Sequence, residues 1–203
     1  MAVGFANGAV TLIRGDLKND RGAKQRTIYE SEEPITGVEF REGSKLTTLY
    51  VSTTSRILTL VISGKGQGQQ PRTLENSGCA VGCMKLDRRT GNIVVAREDA
   101  IYNYGLNGRG RTVAFNCPKS QAVLFNDYLA IVSPPRTLTS ASKQSVGSNS
   151  GGESYRSTTL TIIDPDLRYI AFSEPLLGSV KTVFYQWGDL FVLATDGKVR
   201  VGN

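Results

Sequence analysis

Five pairs of short apolar segments recur along this sequence, each pair joined by a polar turn or loop. They span residues 2–13, 49–62, 92–104, 127–133 with 158–164, and 189–201. Asn7-Gly8 and Asp196-Gly197 supply residues that tolerate positive φ in tight hairpin turns. The second segments recur at spacings of 47, 44, 59 and 39 residues, measured between Val10, Ile57, Ile101, Leu160 and Val199. A period near 40 to 45 residues is typical of propeller blades.

Two further strand-like segments complete each repeat. Inner strands are predicted before four pairs, at 35–40, 80–86, 121–125 and 180–185, and outer strands after four pairs, at 24–30, 71–75, 110–116 and 168–173. The sequence therefore predicts an all-β, WD-repeat-like partial β-propeller of about four to five blades. It holds the last three strands of one blade, three whole blades and the first three strands of another. An antiparallel β-sandwich with similar short strands is the alternative.

The predicted domain organisation is one partial propeller over residues 1–203. Residues 134–156 are rich in Pro, Ser and Gly, which favours a flexible loop inserted between two strands of one blade. A chain that begins and ends inside a blade is expected to be part of a longer ring, for which we predict seven blades. The open sheet edges of such a portion are expected to permit self-association.

Catalytic and metal-binding chemistry has little support in this sequence. It contains no histidine, which excludes Ser-His-Asp and Cys-His catalysis and imidazole ligation. Cys79 and Cys83 are separated by three residues rather than two, and no second cysteine pair exists to complete a zinc ribbon. We therefore place these cysteines in the core or at an edge of an inner strand, and predict a protein without enzymatic activity, cofactor or metal.

A basic segment follows the first hairpin. Arg14, Lys18, Arg21 and Lys24 lie among two aspartates, and the whole chain has a formal net charge of +6. A solvated loop is one interpretation, and a partner-binding surface for these four residues is the other. Nucleic-acid binding would require interleaved aromatic residues, and Tyr29 is the nearest aromatic, so no nucleic-acid partner is predicted.

Membrane attachment is expected to be peripheral. No apolar stretch reaches the roughly 18 to 20 residues of a membrane span, and no signal peptide, sequon or disulfide framework indicates secretion. The segment Phe40–Gly43, Phe-Arg-Glu-Gly, resembles the Phe-Arg-Arg-Gly motif of phosphoinositide-binding propellers. Glu42 replaces the second arginine and would repel phosphate, so lipid binding through Arg41 stays the alternative function.

Longer segments resemble one family. Residues 2–30 and 34–53 are similar to the β-propeller of the vacuolar protein sorting-associated protein 11 family, a core subunit shared by the HOPS and CORVET tethering complexes. The likeness continues through residues 77–87, 98–116, 127–133 and 185–199, and fails only in the predicted insertion.

This resemblance implies a non-enzymatic interaction platform for vesicle docking and fusion on the endosome-to-vacuole or lysosome route. It implies a cytoplasmic protein, peripheral on endosomal and vacuolar or lysosomal membranes. The expected partners are other HOPS and CORVET subunits, with Rab-type GTPases or vesicle proteins as further candidates. No contact residue follows from the resemblance, so the predicted surfaces remain the basic segment and the insertion around Lys143 and Arg156.

Overall fold

The computed structural model describes residues 1–15, 24–43, 46–63, 70–134, 157–177, 179–195 and 197–202. Within these ranges the chain forms eighteen β-strands and no helix. The strands form five antiparallel sheets that follow one another along the chain, named here blades 1 to 5.

The strand order within every blade follows the chain. Blade 1 contains β1 (Ala2–Gly4), β2 (Val10–Arg14) and β3 (Lys24–Tyr29). Blade 2 contains β4 (Ile35–Glu42), β5 (Thr47–Thr53), β6 (Ile57–Ile62) and β7 (Arg72–Glu75). Blade 3 contains β8 (Met84–Asp87), β9 (Asn92–Ala96), β10 (Ala100–Gly105) and β11 (Gly108–Ala114). Blade 4 contains β12 (Gln121–Phe125), β13 (Tyr128–Ser133), β14 (Ser157–Asp164) and β15 (Tyr169–Leu177). Blade 5 contains β16 (Val180–Gln186), β17 (Asp189–Ala194) and β18 (Val199–Gly202).

The predicted blade pattern is confirmed, with three, four, four, four and three strands in blades 1 to 5. The inner strands β4, β8, β12 and β16 contact one another in sequence, as in a propeller and unlike a two-sheet sandwich. One predicted boundary was wrong, since residues 80–83 precede the inner strand of blade 3. The Cys83 amide donates to the Ala80 carbonyl at 3.2 Å, and Gly82 has a φ of 80°, so these residues form a turn. The predicted insertion at 134–156 lies, apart from Pro134, outside the described residues.

The second strands of the middle blades are buried on both faces, and this explains their continuous apolar runs. Ile93–Ala96 in β9 is buried throughout because blade 3 packs between blades 2 and 4. One hydrophobic cluster surrounds blade 3, a second joins blades 1 and 2, and a third joins blades 4 and 5. Strands covered on two faces lose the polar alternation expected of a sheet with one wet face.

Strand direction divides the turns between two faces of the disc. The upper face holds the turns from inner to second strand and from third to outer strand. The lower face holds the turns from second to third strand and the connections between blades. This division follows from the antiparallel pairing of successive strands in every blade.

Glu33 joins a blade connection to a lower-face turn. Its carboxylate accepts hydrogen bonds from the hydroxyls of Thr53 at 2.7 Å, Thr54 at 3.2 Å and Ser55 at 2.5 Å, and from the Ser55 amide at 3.1 Å. These donors, led by the Ser55 hydroxyl, lower the pKa of Glu33 from 4.5 to about 2. The turn therefore depends on an ionised Glu33.

Acid is expected to remove the stability that the ionised Glu33 carboxylate contributes. Because the pKa of Glu33 is lower in the folded chain, its contribution is complete above pH 4.5 and is lost as the pH falls towards 2. We expect the melting temperature of the wild-type chain to fall more steeply over this interval than that of Glu33→Gln. Thermal denaturation at several pH values measures the difference. Glu32→Gln, at the exposed neighbouring position, should retain the wild-type slope, and equal slopes for all three chains would contradict the prediction.

Candidate partner-binding surface

The structure brings two of the predicted basic residues together on the upper face. Arg14 ends β2, Lys24 begins β3, and they are directly paired across the two strands. Both are exposed, and the Arg14 guanidinium also donates to the Ser63 carbonyl of blade 2 at 3.3 Å. Arg14 and Lys24 therefore lie at the upper border between blades 1 and 2.

The remaining predicted surface residues cannot be placed relative to this pair. Lys18, Arg21, Lys143 and Arg156 lie outside the described residues. The basic segment as a four-residue surface and the insertion as a second surface therefore stay predictions.

Further basic residues stand on the outer strands or at their upper ends. Each outer strand runs downward from the upper face, and the basic residues at or near its start include Lys24, Arg72, Arg109 and Arg168. The repeat period of the sequence did not show that these residues share one rim. The structure therefore extends the predicted basic segment around the disc.

Acidic residues interrupt this basic rim. Arg89 contacts Asp127 at 3.8 Å and Asp166 at 3.2 Å, and Arg111 contacts Asp166 at 3.2 Å, so these pairs join blades 3 and 4. All the side chains concerned are more than half exposed, which limits each pair to about 1 kcal/mol or less. An upper face of mixed sign suits a protein partner with its own pattern of charges better than a uniformly anionic polymer.

A cleft of about 1090 Å³ opens on this face, lined by blades 3, 4 and 5 and by Glu39 of blade 2. Its charged lining is balanced between Lys85, Arg88, Arg89 and Arg111 and the carboxylates of Glu39, Asp87, Asp127 and Asp166. Burial raises the pKa of Glu39, and the positive charge of Lys85 opposes that change. The cleft has the breadth and mixed polarity of a contact surface for a protein segment.

Trp187 is a surface residue that the sequence reasoning did not select. It occupies a two-residue turn with Gly188, its φ is 54°, and its side chain is 84% exposed. The Trp187 and Phe191 rings form a T-shaped pair with their centroids 6.2 Å apart, and Phe191 stacks on Phe184 with a centroid distance of 5.0 Å. Bulky residues avoid positive φ, at a cost of about 1 kcal/mol or more. The sequence signal for this residue was Trp-Gly at a two-residue hairpin turn, a position that favours Asn-Gly. Tryptophan is a frequent anchor in protein interfaces.

The predicted lipid-binding arginine has an internal contact. The Arg41 guanidinium donates to the Tyr50 hydroxyl at 3.4 Å, and a Cβ added to Gly91 of blade 3 would lie 3.0 Å from Arg41 Nε. Arg41 thus contacts both sides of the border between blades 2 and 3. This placement gives it a structural role and does not favour phosphoinositide binding.

The cysteines have the environment of core residues. Cys79 and Cys83 are buried, and burial raises the pKa of Cys83 to about 11, so the thiol is neutral and unreactive at physiological pH. Their predicted core location is confirmed, although both precede the inner strand instead of lying in it.

Among the described residues no group of three or more His, Cys, Asp or Glu side chains could hold a metal ion. The same part of the chain contains no helix long and apolar enough to cross a membrane.

The five blades and the charged upper face define the class of protein. The chain is a partial β-propeller with exposed contact surfaces on its rim and turns. The chain belongs to the PEP5/VPS11 N-terminal family, whose model matches residues 1–201. It is 35% identical over 98% of its length to the vacuolar protein sorting-associated protein 11 homolog of Homo sapiens, and 29% identical over 97% to that of Dictyostelium discoideum. It spans 21% and 23% of those relatives, about a fifth of their length. The family is one of vacuolar protein sorting.

Solved structures support the fold. The chain superposes with a TM-score of 0.64 on BBS1N from a complex with ARL6DN, at 8% identity, covering 98% of this chain and 55% of that one. Sqt1 of Saccharomyces cerevisiae gives a TM-score of 0.63 at 13% identity, covering 100% of this chain and 54% of that one. At such identities the likeness concerns the fold alone.

Proposed function

We infer that this chain is a non-enzymatic interaction platform in a subunit of the HOPS and CORVET membrane-tethering complexes. The observation that carries this proposal is the 35% identity to the human vacuolar protein sorting-associated protein 11 homolog over 98% of the chain. This relative and the Dictyostelium discoideum homolog are vacuolar sorting proteins by name. Tethering is the function that the resemblance to this family implies.

The structure supplies physical reasons for a platform. The second strand of each middle blade is buried on both faces, so the sheets form a rigid support for the turns and strand ends that project from them. Arg89 and Arg111 of blade 3 form ion pairs with Asp166 of blade 4 on the upper face, and Cys83 is a neutral thiol. These features favour binding through a preformed surface over catalysis.

The proposed partners are the other subunits of the two complexes, with Rab-type GTPases or vesicle proteins as further candidates. The proposed location is the cytoplasmic side of endosomes and of the vacuole or lysosome, with membrane contact made through the complex. The mixed charge of the upper face supports protein partners, because a matched pattern of charges fixes orientation and register.

Reversing the charges of Arg14 and Lys24, the upper basic border, is expected to weaken assembly of the tethering complexes. In the full-length protein, Arg14→Glu with Lys24→Glu should reduce co-purification of the other tethering subunits about fivefold in low salt, since exposed charge pairs contribute up to about 1 kcal/mol each. Adding Lys18→Glu and Arg21→Glu should increase the loss. Quantitative pull-down from cells lacking the native protein measures it, together with delivery of a vacuolar or lysosomal hydrolase.

The matched control is Arg56→Glu with Lys181→Glu, which reverses two exposed cations of the lower face. This variant should assemble normally. Unchanged assembly of the four-residue variant in low salt would remove the basic border from the proposal. Normal hydrolase delivery in cells whose protein lacks residues 1–203, at equal protein abundance, would contradict the sorting function itself.

A further inference from the structure

β15 is an outer strand whose free edge faces away from the ring. It has nine residues, Tyr169–Leu177, and pairs with β14 on one side, while no described strand pairs with its other side. Blades 3 and 5 flank blade 4, so neither neighbouring place in the ring is vacant. Among the described residues, the outer edge of blade 4 is therefore open.

The other outer strands carry basic residues that β15 lacks. β3 contains Lys24 and Arg26, β7 contains Arg72 in a strand of only four residues, and β11 contains Arg109 and Arg111. Charged side chains on an edge strand oppose pairing with a further strand. From Tyr169 to Ser173, β15 contains no charged residue. Residues 169–173 thus form an uncharged stretch of edge, interrupted by the bulge at Ala171 and ended by Glu174 and Pro175.

Apolar side chains project from both faces of this edge. Tyr169, Ile170 and Phe172 are 48%, 52% and 43% exposed, although they belong to a strand. Ile170 pairs with Ile163 of the cluster around blade 3, whereas Phe172 pairs with Ile162, which packs against the cluster of blades 4 and 5. The β-bulge between these pairs places Ile170 and Phe172 on opposite faces. An added strand would gain apolar contacts on each face.

Opposite charges mark the two ends of the exposed edge. Arg168 precedes β15 and Glu174 lies six residues further on, about 20 Å along an extended chain. Both side chains are exposed, and neither forms an ion pair with another described residue. A strand added antiparallel to β15 would complement them with a basic residue near its amino end and an acidic residue near its carboxyl end.

We propose that the outer edge of β15 binds an extended segment of a partner protein as a fifth strand of blade 4. The segment carries alternate apolar side chains that contact Tyr169 and Phe172 on the face they share, with a basic residue beside Glu174 and an acidic residue beside Arg168. Main-chain hydrogen bonds supply the affinity, and the side chains and end charges set the register. The proposal rests on the strand edge alone and does not require the tethering function.

A synthetic peptide tests this edge in the full-length protein. The probe is acetyl-Lys-Thr-Val-Thr-Val-Thr-Asp-amide, and a second peptide has proline in place of the central threonine to remove one backbone donor. Hydrogen exchange with mass spectrometry should show slower exchange for residues 169–174 on addition of the first peptide, with residues 24–29 unchanged. Fluorescence polarisation should show at least tenfold weaker binding of the proline peptide.

Lysines at the exposed edge should block the site. Ile170→Lys with Phe172→Lys introduces charges like those on the other outer strands and should weaken binding at least tenfold. The matched control is Gln25→Lys with Thr27→Lys on β3, which should bind the peptide as the wild type does. Glu174→Lys should weaken binding about fivefold and recover when the peptide begins with Glu instead of Lys, a rescue that a folding defect would not give.

Three results would overturn the proposal. The first is unchanged exchange of residues 169–174 at millimolar peptide. The second is equal affinity of the wild type and the double lysine variant. The third is a concentration-dependent doubling of mass that the double lysine variant abolishes, because this would assign the edge to a second copy of the chain.

Discussion

Lys119→Met is expected to lower the free energy of unfolding of the 203-residue chain by about 3 kcal/mol or more. The Lys119 residue is only 8% exposed and stands in the connection between blades 3 and 4. Its Nζ lies within hydrogen-bond distance of four carbonyls that share its three N–H donors, those of Arg97 at 2.5 Å, Glu98 at 3.0 Å, Phe115 at 2.5 Å and Cys117 at 2.9 Å. The ammonium thereby gathers a lower-face turn and a blade connection around one charge.

Methionine would retain much of the volume of Lys119 and none of its donors. The Cys117 amide would still donate to the Glu98 and Phe115 carbonyls, so the loss falls on the carbonyls of Arg97 and Cys117. A carbonyl left without a donor costs about 1 to 3 kcal/mol, although water entering the site reduces the sum. Burial lowers the pKa of Lys119, so the native charge itself is held at some cost and its hydrogen bonds offset that cost.

Urea denaturation followed by circular dichroism measures this effect, with Lys181→Met as the control because Lys181 is exposed. The control should change the free energy of unfolding by less than about 0.5 kcal/mol. A loss below about 1 kcal/mol for Lys119→Met would show that the four carbonyls do not depend on this ammonium.

Gly8→Ala is expected to cost at least about 2 kcal/mol more than Gly197→Ala. Both glycines have positive φ, 86° and 81°, so both alanine variants should lose about 1 kcal/mol from backbone strain. A Cβ at Gly8 would lie 1.8 Å from the Ser31 carbonyl oxygen and 2.9 Å from that of Glu33. A Cβ at Gly197 would have no atom within 4 Å.

The pair therefore separates backbone strain from steric overlap. Gly8 also accepts the Ser31 amide hydrogen bond at 3.0 Å, so a displaced turn would lose the contact between the first hairpin and the connection to blade 2. Urea denaturation of the two variants gives the difference directly. Equal losses would mean that the connection around Ser31 moves aside without cost.

The strand order could be predicted because its signal is local. Runs such as residues 93–96 and 129–132 are apolar throughout, and polar turns separate such runs, so the succession of four strands was visible without tertiary information. The error at 80–83 has the same origin. An apolar stretch was assigned to a strand, whereas the Cys83 amide pairs with Ala80 in a turn that buries both cysteines.

The surface was harder to predict than the strands. The exposure of Trp187, the burial of Lys119 and the open edge of β15 each depend on neighbouring residues that are distant in sequence. A lysine is ordinarily exposed, and only carbonyls from residues 97–98 and 115–117, brought together by folding, make a buried one stable at position 119. Likewise the uncharged edge at residues 169–173 of β15 became evident only by comparison with the outer strands of other blades.

The amino-acid sequence by itself determined the all-β class, the repeat of four strands, the family and the lack of histidine chemistry. These properties depend on residue type and spacing, which are complete in the chain before it folds. Tertiary structure alone decided which charges share the upper face, which lysine is buried and which strand edge is open. Such properties depend on distances between residues far apart in sequence, because the antiparallel blades bring strand ends from every repeat onto one common rim.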